Sequence, residues 1–167
     1  DAAASRRSGG AVRLPIDRAF SVKGFGTVVT GTLVSGQLSV DDACAILPTP
    51  RAVKVRGLQV HGSSNSTAVA GQRVAVNLTG VDVSEIRRGD TLVTADAFEE
   101  TARLDAVVEL LGSARRLRHG ARVRFHQGTA EILGRVALGP IVLYCRCPAV
   151  LILSVVIAIL RRVIHPV

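Results

Sequence analysis

Residues 13–31 read RLPIDRAFSVKGFGTVVTG, and this stretch decides the predicted fold. Residues 23–26 (KGFG) predict a tight connection between two strands, because glycine accepts positive φ. Residues 27–34 (TVVTGTLV) are the strand after this connection, and Gly31 within it indicates a bulge or a bend. In the strand before it, apolar residues alternate with the rest, which is the period of a strand with one buried face. The apolar residues of that alternation are Leu14, Ile16, Phe20 and Val22.

Arg18 interrupts this alternation, because it falls on the same side of the strand as the apolar residues. Asp17 falls on the opposite, polar side. A bulge or a strand end would bring Arg18 to the side of Asp17, since a bulge adds one residue and shifts the alternation.

Short apolar runs separated by turn residues continue from this hairpin to about residue 97. Short strands with frequent turns predict an all-β fold, a Greek-key β-barrel whose closure leaves no exposed edge. Aromatic residues are 3% of the chain, so the core is predicted to be aliphatic. The further predicted strands are residues 44–47, 53–61, 68–70, 74–78 and 91–94, with a short one between turns at 35–36 and 41–42.

The rest of the chain predicts three other segments. Residues 1–11 read as a linker, residues 12–97 as the barrel, and residues 98–139 as a second, incomplete β-barrel. Residues 140–167 form an apolar tail, which three interpretations fit: a core strand or helix, a membrane segment, or non-native sequence. The predicted strands of the second unit are residues 104–111, 121–125 and 132–138.

The chain is strongly basic, with a formal net charge of +8 over 167 residues. All but two of its cations are arginines, which suits a polyanionic partner but also fits coding by a GC-rich genome. Three cysteines without regular spacing predict no disulfide scaffold and a reducing, cytoplasmic location. Cys145 and Cys147 lack the spacing of a zinc site, so we predict no metal site. The sequence also shows no catalytic constellation, so we predict no catalytic residue.

Three motifs occur in an order and spacing that resemble domain II of the elongation factor Tu class of translational GTPases. They are residues 20–31 (FSVKGFGTVVTG), residues 70–78 (AGQRVAVNL) and residues 86–92 (IRRGDTL). Residues 13–20 (RLPIDRAF) and 56–62 (RGLQVHG) are more similar to the selenocysteine-specific factor, the SelB type. Residues 116–136 resemble the start of domain III of that family. The resemblance covers about residues 11–139.

This resemblance implies a pocket for the aminoacyl end of selenocysteyl-tRNA. It places the aminoacyl-binding groups on Asp17, Arg18 and Arg73. Asp17 would accept from the α-amino group, and the two arginines would face the ionised selenol. Read without the family, the residues favour a different interpretation, in which Arg18 and Arg73 are solvated surface charges paired with Asp17. Arg73 lies opposite the apolar face formed by Val74, Val76 and Leu78.

Two further segments are predicted to bind the tRNA. The hairpin connection of Lys23, Gly24, Phe25 and Gly26 offers backbone N–H groups and one cation to the acceptor end, or is a plain turn. A run of arginines without an acid offers salt-dependent contacts to an RNA backbone, or is a solvated strand face. That run consists of Arg115, Arg116, Arg118, Arg122 and Arg124.

We therefore predict a part of a translation factor that is not an enzyme by itself. The chain contains no G-x-x-x-x-G-K-[ST] phosphate loop, so GTP and magnesium are expected in a separate GTPase domain. The expected partners are selenocysteyl-tRNA, the ribosome and that GTPase domain. A membrane is not expected as a partner. The alternatives are the barrel of a general elongation or initiation factor, and a membrane-tethered β-barrel adaptor.

Overall fold

A computed structural model describes residues 10–98, 100, 108 and 110–138. These residues fall into two compact units. One is formed by residues 10–98 with the short turn 128–130, and the other by residues 100–127 and 131–138, within the described positions. The predicted apolar tail and most of the predicted strand at 104–111 lie outside the described residues.

Nine strands and one short 3-10 helix, η1, build the first unit in the described part of the chain. The strands are β1 Arg13–Val22, β2 Gly26–Thr32, β3 Gln37–Ser39, β4 Ala43–Leu47, β5 Arg51–Val60, β6 Ser63–Asn65, β7 Thr67–Val69, β8 Arg73–Thr79 and β9 Thr91–Thr94. The helix η1, Val83–Glu85, precedes β9. The sequence did not predict β6 or η1.

Six of these strands close into an antiparallel barrel. The order around the barrel is β4, β9, β1, β2, β8, β5 and back to β4, so each of the six has a neighbour on both sides. The strand β6 pairs only with β5, and β3 pairs with β7 in a separate small sheet. The predicted all-β fold class is confirmed.

The core inside the barrel is aliphatic, as predicted. In β8, the inward residues Val74, Val76 and Leu78 are buried while Arg73 and Thr79 at its ends are exposed. Burying one such side chain stabilises the fold by roughly 1.5–3 kcal/mol. The largest fully buried side chains are Leu14, Ile16, Leu33, Leu38, Ile46, Leu92, Val29, Val55, Val74 and Val76.

A β-bulge in β1 corrects the predicted alternation of this strand. Ile16 pairs with Gly31 of β2 and Arg18 pairs with Thr30, so Asp17 is an extra residue in the ladder. Beyond the bulge the alternation is inverted. Phe20, which was predicted to face the core, is 41% exposed, and Ala19 packs against the core instead.

Gly31 is required where β1 and β2 approach each other at this bulge. A Cβ atom at position 31 would overlap the carbonyl oxygen of Pro15 and press on the side chain of Leu14. The prediction of a bulge or bend at Gly31 is therefore confirmed, although the extra residue belongs to β1.

The second unit contains an antiparallel hairpin in its described part. Its strands are β10 Arg122–Gln127 and β11 Ala130–Arg135. They cover most of the strands predicted at 121–125 and 132–138. Within the described residues, no helix combines the length and the hydrophobicity that a bilayer crossing requires.

Candidate functional site

The bulge in β1 brings Asp17 and Arg18 to the same side of the barrel wall. Val29 and Gly31 of β2 are buried toward the core, so Thr30 between them points outward. Asp17 and Arg18 together stand opposite Thr30, because the bulge sets two residues of β1 against one of β2. The sequence predicted that Arg18 would need a bulge or a strand end to reach the side of Asp17, and the bulge is present.

Arg73 reaches the same outer surface from β8. It begins that strand and pairs with Thr32 of β2. Its Nη1 atom donates a hydrogen bond to Oδ2 of Asp17 at 2.6 Å. The Oγ1 atom of Thr30 donates to the other carboxylate oxygen, Oδ1, at 2.5 Å. One carboxylate therefore receives a donor on each oxygen, from two neighbouring strands.

The surroundings of Asp17 favour its charged form. Partial burial opposes ionisation, but hydrogen bonds from Arg73 and Thr30 and the positive charges of Arg73 and Arg18 outweigh it and hold the pKa of Asp17 below its ordinary value. The hydrogen bond and charge of Asp17 raise the pKa of Arg73 in return. The Asp17 side chain is 21% exposed and that of Arg73 is 58% exposed, so solvent weakens this pair.

Arg18 completes a cluster that carries an excess of positive charge. It is exposed, and its side chain makes no hydrogen bond to another residue among those described. Two guanidinium groups and one carboxylate leave a net charge of +1 on this patch. Such an arrangement offers an acceptor to a cation and two donors to an anion within one small surface.

Other outward residues border this cluster. Arg18, Thr30, Ala75 and Gln59 form one row across β1, β2, β8 and β5. The next row toward the hairpin end includes Asn77, whose Oδ1 atom is buried and has no hydrogen-bond partner among the described residues. The sequence analysis did not single out Thr30. Thr30 lies two residues before Thr32, which pairs with Arg73, so Thr30 and Arg73 lie on the same face of the sheet.

The predicted hairpin contact lies apart from this cluster. Lys23, Gly24 and Phe25 connect β1 to β2 and are exposed, and Gly24 and Gly26 have φ of +84° and +85°. Val22, where β1 ends, is four residues beyond Arg18, or roughly 13 Å along the strand. These residues form a separate tip.

The predicted arginine run belongs to the second unit. Arg122 and Arg124 lie on the exposed face of β10, and Arg115, Arg116 and Arg118 are exposed before it. Across the hairpin, Nη1 of Arg124 contacts Oε1 of Glu131 at 2.6 Å. The pairing therefore places an acid beside a run that is free of acids in sequence.

A cavity of about 390 Å³ opens elsewhere on the first unit. It contains two cations, Arg51 and Arg87, and two acids, Glu85 and Asp90, so its charges balance. Arg51 and Glu85 are paired with each other. None of the residues predicted to bind an aminoacyl group lines this cavity. The described residues also contain no cluster of three or more His, Cys, Asp or Glu side chains suited to a metal ion.

Comparison with known proteins defines the class of this barrel. The family model for Elongation factor Tu domain 2 matches residues 26–93. The structure of translation elongation factor SelB from Methanococcus maripaludis superposes with a TM-score of 0.74 at 31% identity, covering 81% of this chain and 29% of that one. The same factor in complex with the GTP analogue GPPNHP superposes with a TM-score of 0.69 at 31% identity, covering 77% of this chain and 29% of that one. The first unit is a translation-factor barrel of the domain II type.

The curated relatives narrow this class to one family. The selenocysteine-specific elongation factor of Desulfomicrobium baculatum is 44% identical over 74% of this chain. That of Escherichia coli is 38% identical over 75%. The chain spans about a fifth of the length of these relatives, which is 20% in both cases. It belongs to the selenocysteine-specific elongation factor family, and its barrel is domain II of that type.

Proposed function

We propose that the outer cluster of Asp17, Arg18 and Arg73 binds the aminoacyl end of selenocysteyl-tRNA for delivery to the ribosome. The observation that carries this proposal is the Asp17 carboxylate paired with the Arg73 guanidinium group on one face of the barrel, with the positive charge of Arg18 nearby. An aminoacyl ester with an ionised side chain carries a cation and an anion a few bonds apart. The cluster offers a complementary charge to each.

Binding would proceed by an exchange of partners. Without a ligand, Arg73 is paired with Asp17. The α-ammonium group of the ligand would take the place of Arg73 on Oδ2 of Asp17. Arg73, once released, would donate to the selenolate together with Arg18. Because Arg73 is 58% exposed, its guanidinium group has room to move.

The same exchange would discriminate against serine. A serine hydroxyl remains neutral at physiological pH, so it would give the released Arg73 no ionic partner. A charged group left without its partner in a partly desolvated site costs free energy. Selenocysteine would replace the lost ion pair with a new one, and serine would not.

The remaining contacts of the proposal lie outside this pocket. Lys23, Gly24, Phe25 and Gly26 would contact the acceptor end, and the arginine run would contact the phosphate backbone. In the whole protein we propose a cytoplasmic GTPase whose GTP and magnesium are bound by a separate domain. The matched archaeal factor with a bound GTP analogue supports this part.

Binding to one tRNA body that carries different amino acids tests the proposal. The 167-residue chain would be titrated with the same tRNA charged with selenocysteine, cysteine or serine, so that contacts to the tRNA body cancel. We expect the tightest binding for selenocysteine. Equal affinities for the three would leave the barrel of a general translational GTPase, the alternative interpretation, as the better description.

A further inference from the structure

We infer that Thr30 is a positioning residue, which holds the Asp17 carboxylate in the orientation that lets an α-ammonium group displace Arg73. This inference rests on the proposed function of the cluster. Thr30 lies on β2, between the two strands that carry Asp17 and Arg73. The hydrogen bond of its side chain to the cluster goes to Asp17.

Asp17 lies in the bulge of β1. As the extra residue of the ladder, Asp17 has no direct partner on β2. A residue left unpaired by a bulge lacks the backbone constraint of its neighbours. The side-chain hydrogen bond from Thr30 to Oδ1, at 2.5 Å, supplies a constraint at the carboxylate itself.

Arg73 binds this carboxylate through one hydrogen bond. Arginine and carboxylate groups often pair through two parallel hydrogen bonds. Here one contact is present, from Nη1 to Oδ2, and Thr30 occupies the other oxygen. Arg73 is held by one carboxylate oxygen while Thr30 orients the other, so an incoming ammonium group has one ionic contact to replace.

The side chain of Thr30 suits this positioning role. A β-branched side chain in a strand has few χ1 rotamers, so its hydroxyl direction is restricted. Serine retains the hydroxyl with more freedom, and valine retains the shape without the donor. Thr32 is two residues further along β2, exposed on the same outer face, and it makes no side-chain hydrogen bond to a described residue. It is therefore a matched control.

The test compares Thr30→Val, Thr30→Ser and the control Thr32→Val in the full 167-residue chain. Each would be titrated with selenocysteyl-tRNA and with the same tRNA carrying N-acetylated selenocysteine, which has no α-ammonium group. We expect Thr30→Val to weaken binding of the free-amino form roughly 10-fold, and to leave the N-acetylated form unchanged. Thr30→Ser should restore most of the loss, and Thr32→Val should behave as the unmodified chain.

A second readout does not require tRNA. A carboxyl-carbon NMR titration should show the pKa of Asp17 higher in Thr30→Val than in the unmodified chain and in Thr30→Ser. An unchanged pKa, or equal losses for both tRNA forms, would overturn the inference. If the unmodified chain binds both tRNA forms equally while Thr30→Val still raises the pKa, the proposed function fails but Thr30 still orders Asp17.

Discussion

Arg73 Nη1 lies 2.6 Å from Asp17 Oδ2, although 56 residues separate them in the chain. The contact spans β2, which separates the two strands that carry these residues. It exists because the strand order sets β1, β2 and β8 side by side, and the β1 bulge turns Arg18 to the same outer face as Asp17. The ionic cluster is thus a product of strand order and of one inserted residue.

This ion pair predicts a pH dependence of stability. The pKa of Asp17 is lower in the folded chain than the value of about 3.9 expected when unfolded. Its contribution to the free energy of unfolding is therefore complete above that value, and it is lost as pH falls through the folded pKa. We expect Asp17→Asn to lower the free energy of unfolding by about 0.5–1 kcal/mol at neutral pH, and by less near pH 2, where the carboxylate begins to be protonated.

Urea unfolding measures this difference in the free energy of unfolding. It compares Asp17→Asn with the unmodified chain at both pH values. Asp41→Asn is the control, because the Asp41 side chain is 76% exposed in its contact with Lys54. A difference that persists undiminished in acid would show that Asp17 acts through packing and not through its charge.

Removing one cation should lower the preference for selenocysteine. We expect Arg73→Gln, and separately Arg18→Gln, to reduce the affinity ratio of selenocysteyl- to seryl-tRNA roughly 10-fold, because each loses one ionic partner of the selenolate. Affinities measured on one tRNA body charged with each amino acid give this ratio. Lys54→Gln is the control, since Lys54 pairs with Thr79 at the other end of β8. If Lys54→Gln lowers the affinity ratio as much as Arg73→Gln does, the effect comes from a general loss of positive charge and not from the cluster.

Substitution by alanine should destabilise the barrel at one glycine of its wall and have little effect at another. At Gly31 a Cβ would overlap the Pro15 carbonyl oxygen, so Gly31→Ala must displace β1 from β2. We expect a loss of roughly 1–3 kcal/mol, typical of overpacking. At Gly57 the nearest atom to a new Cβ is 3.9 Å away, so Gly57→Ala should change stability little. Denaturant midpoints compare the two, and similar values for both variants would contradict the close approach at Gly31.

The sequence predicts the barrel well, because its strands carry a clear alternation. Residues 91–94 were predicted with the bounds that β9 has, and Val74, Val76 and Leu78 share the buried face as their spacing indicates. The strand β6 was missed because Ser63–Asn65 has no apolar residue. It forms next to a two-residue turn in which His61 and Gly62 both have positive φ.

The candidate site was harder to predict, because it depends on register. Phe20 was placed in the core since the alternation of Leu14 and Ile16 was extended past residue 17. An extra residue in one strand leaves no composition signal, so the inversion is visible only when β1 is paired with β2. The role of Thr30 depends on the same pairing, and only the mismatch of Arg18 pointed to the bulge.

The ion pair on the second unit predicts unequal roles for two arginines of one strand. Arg124 is paired with Glu131, whereas Arg122 makes no ion pair with a described residue. We expect Arg122→Gln to lower the dependence of log affinity on log salt by about 1, and Arg124→Gln to lower it less. Glu131→Gln should raise it, because it releases Arg124 for a phosphate. Affinities for tRNA at several salt concentrations measure these slopes. Slopes equal to that of the unmodified chain for all three variants would mean that this hairpin face does not contact the RNA backbone.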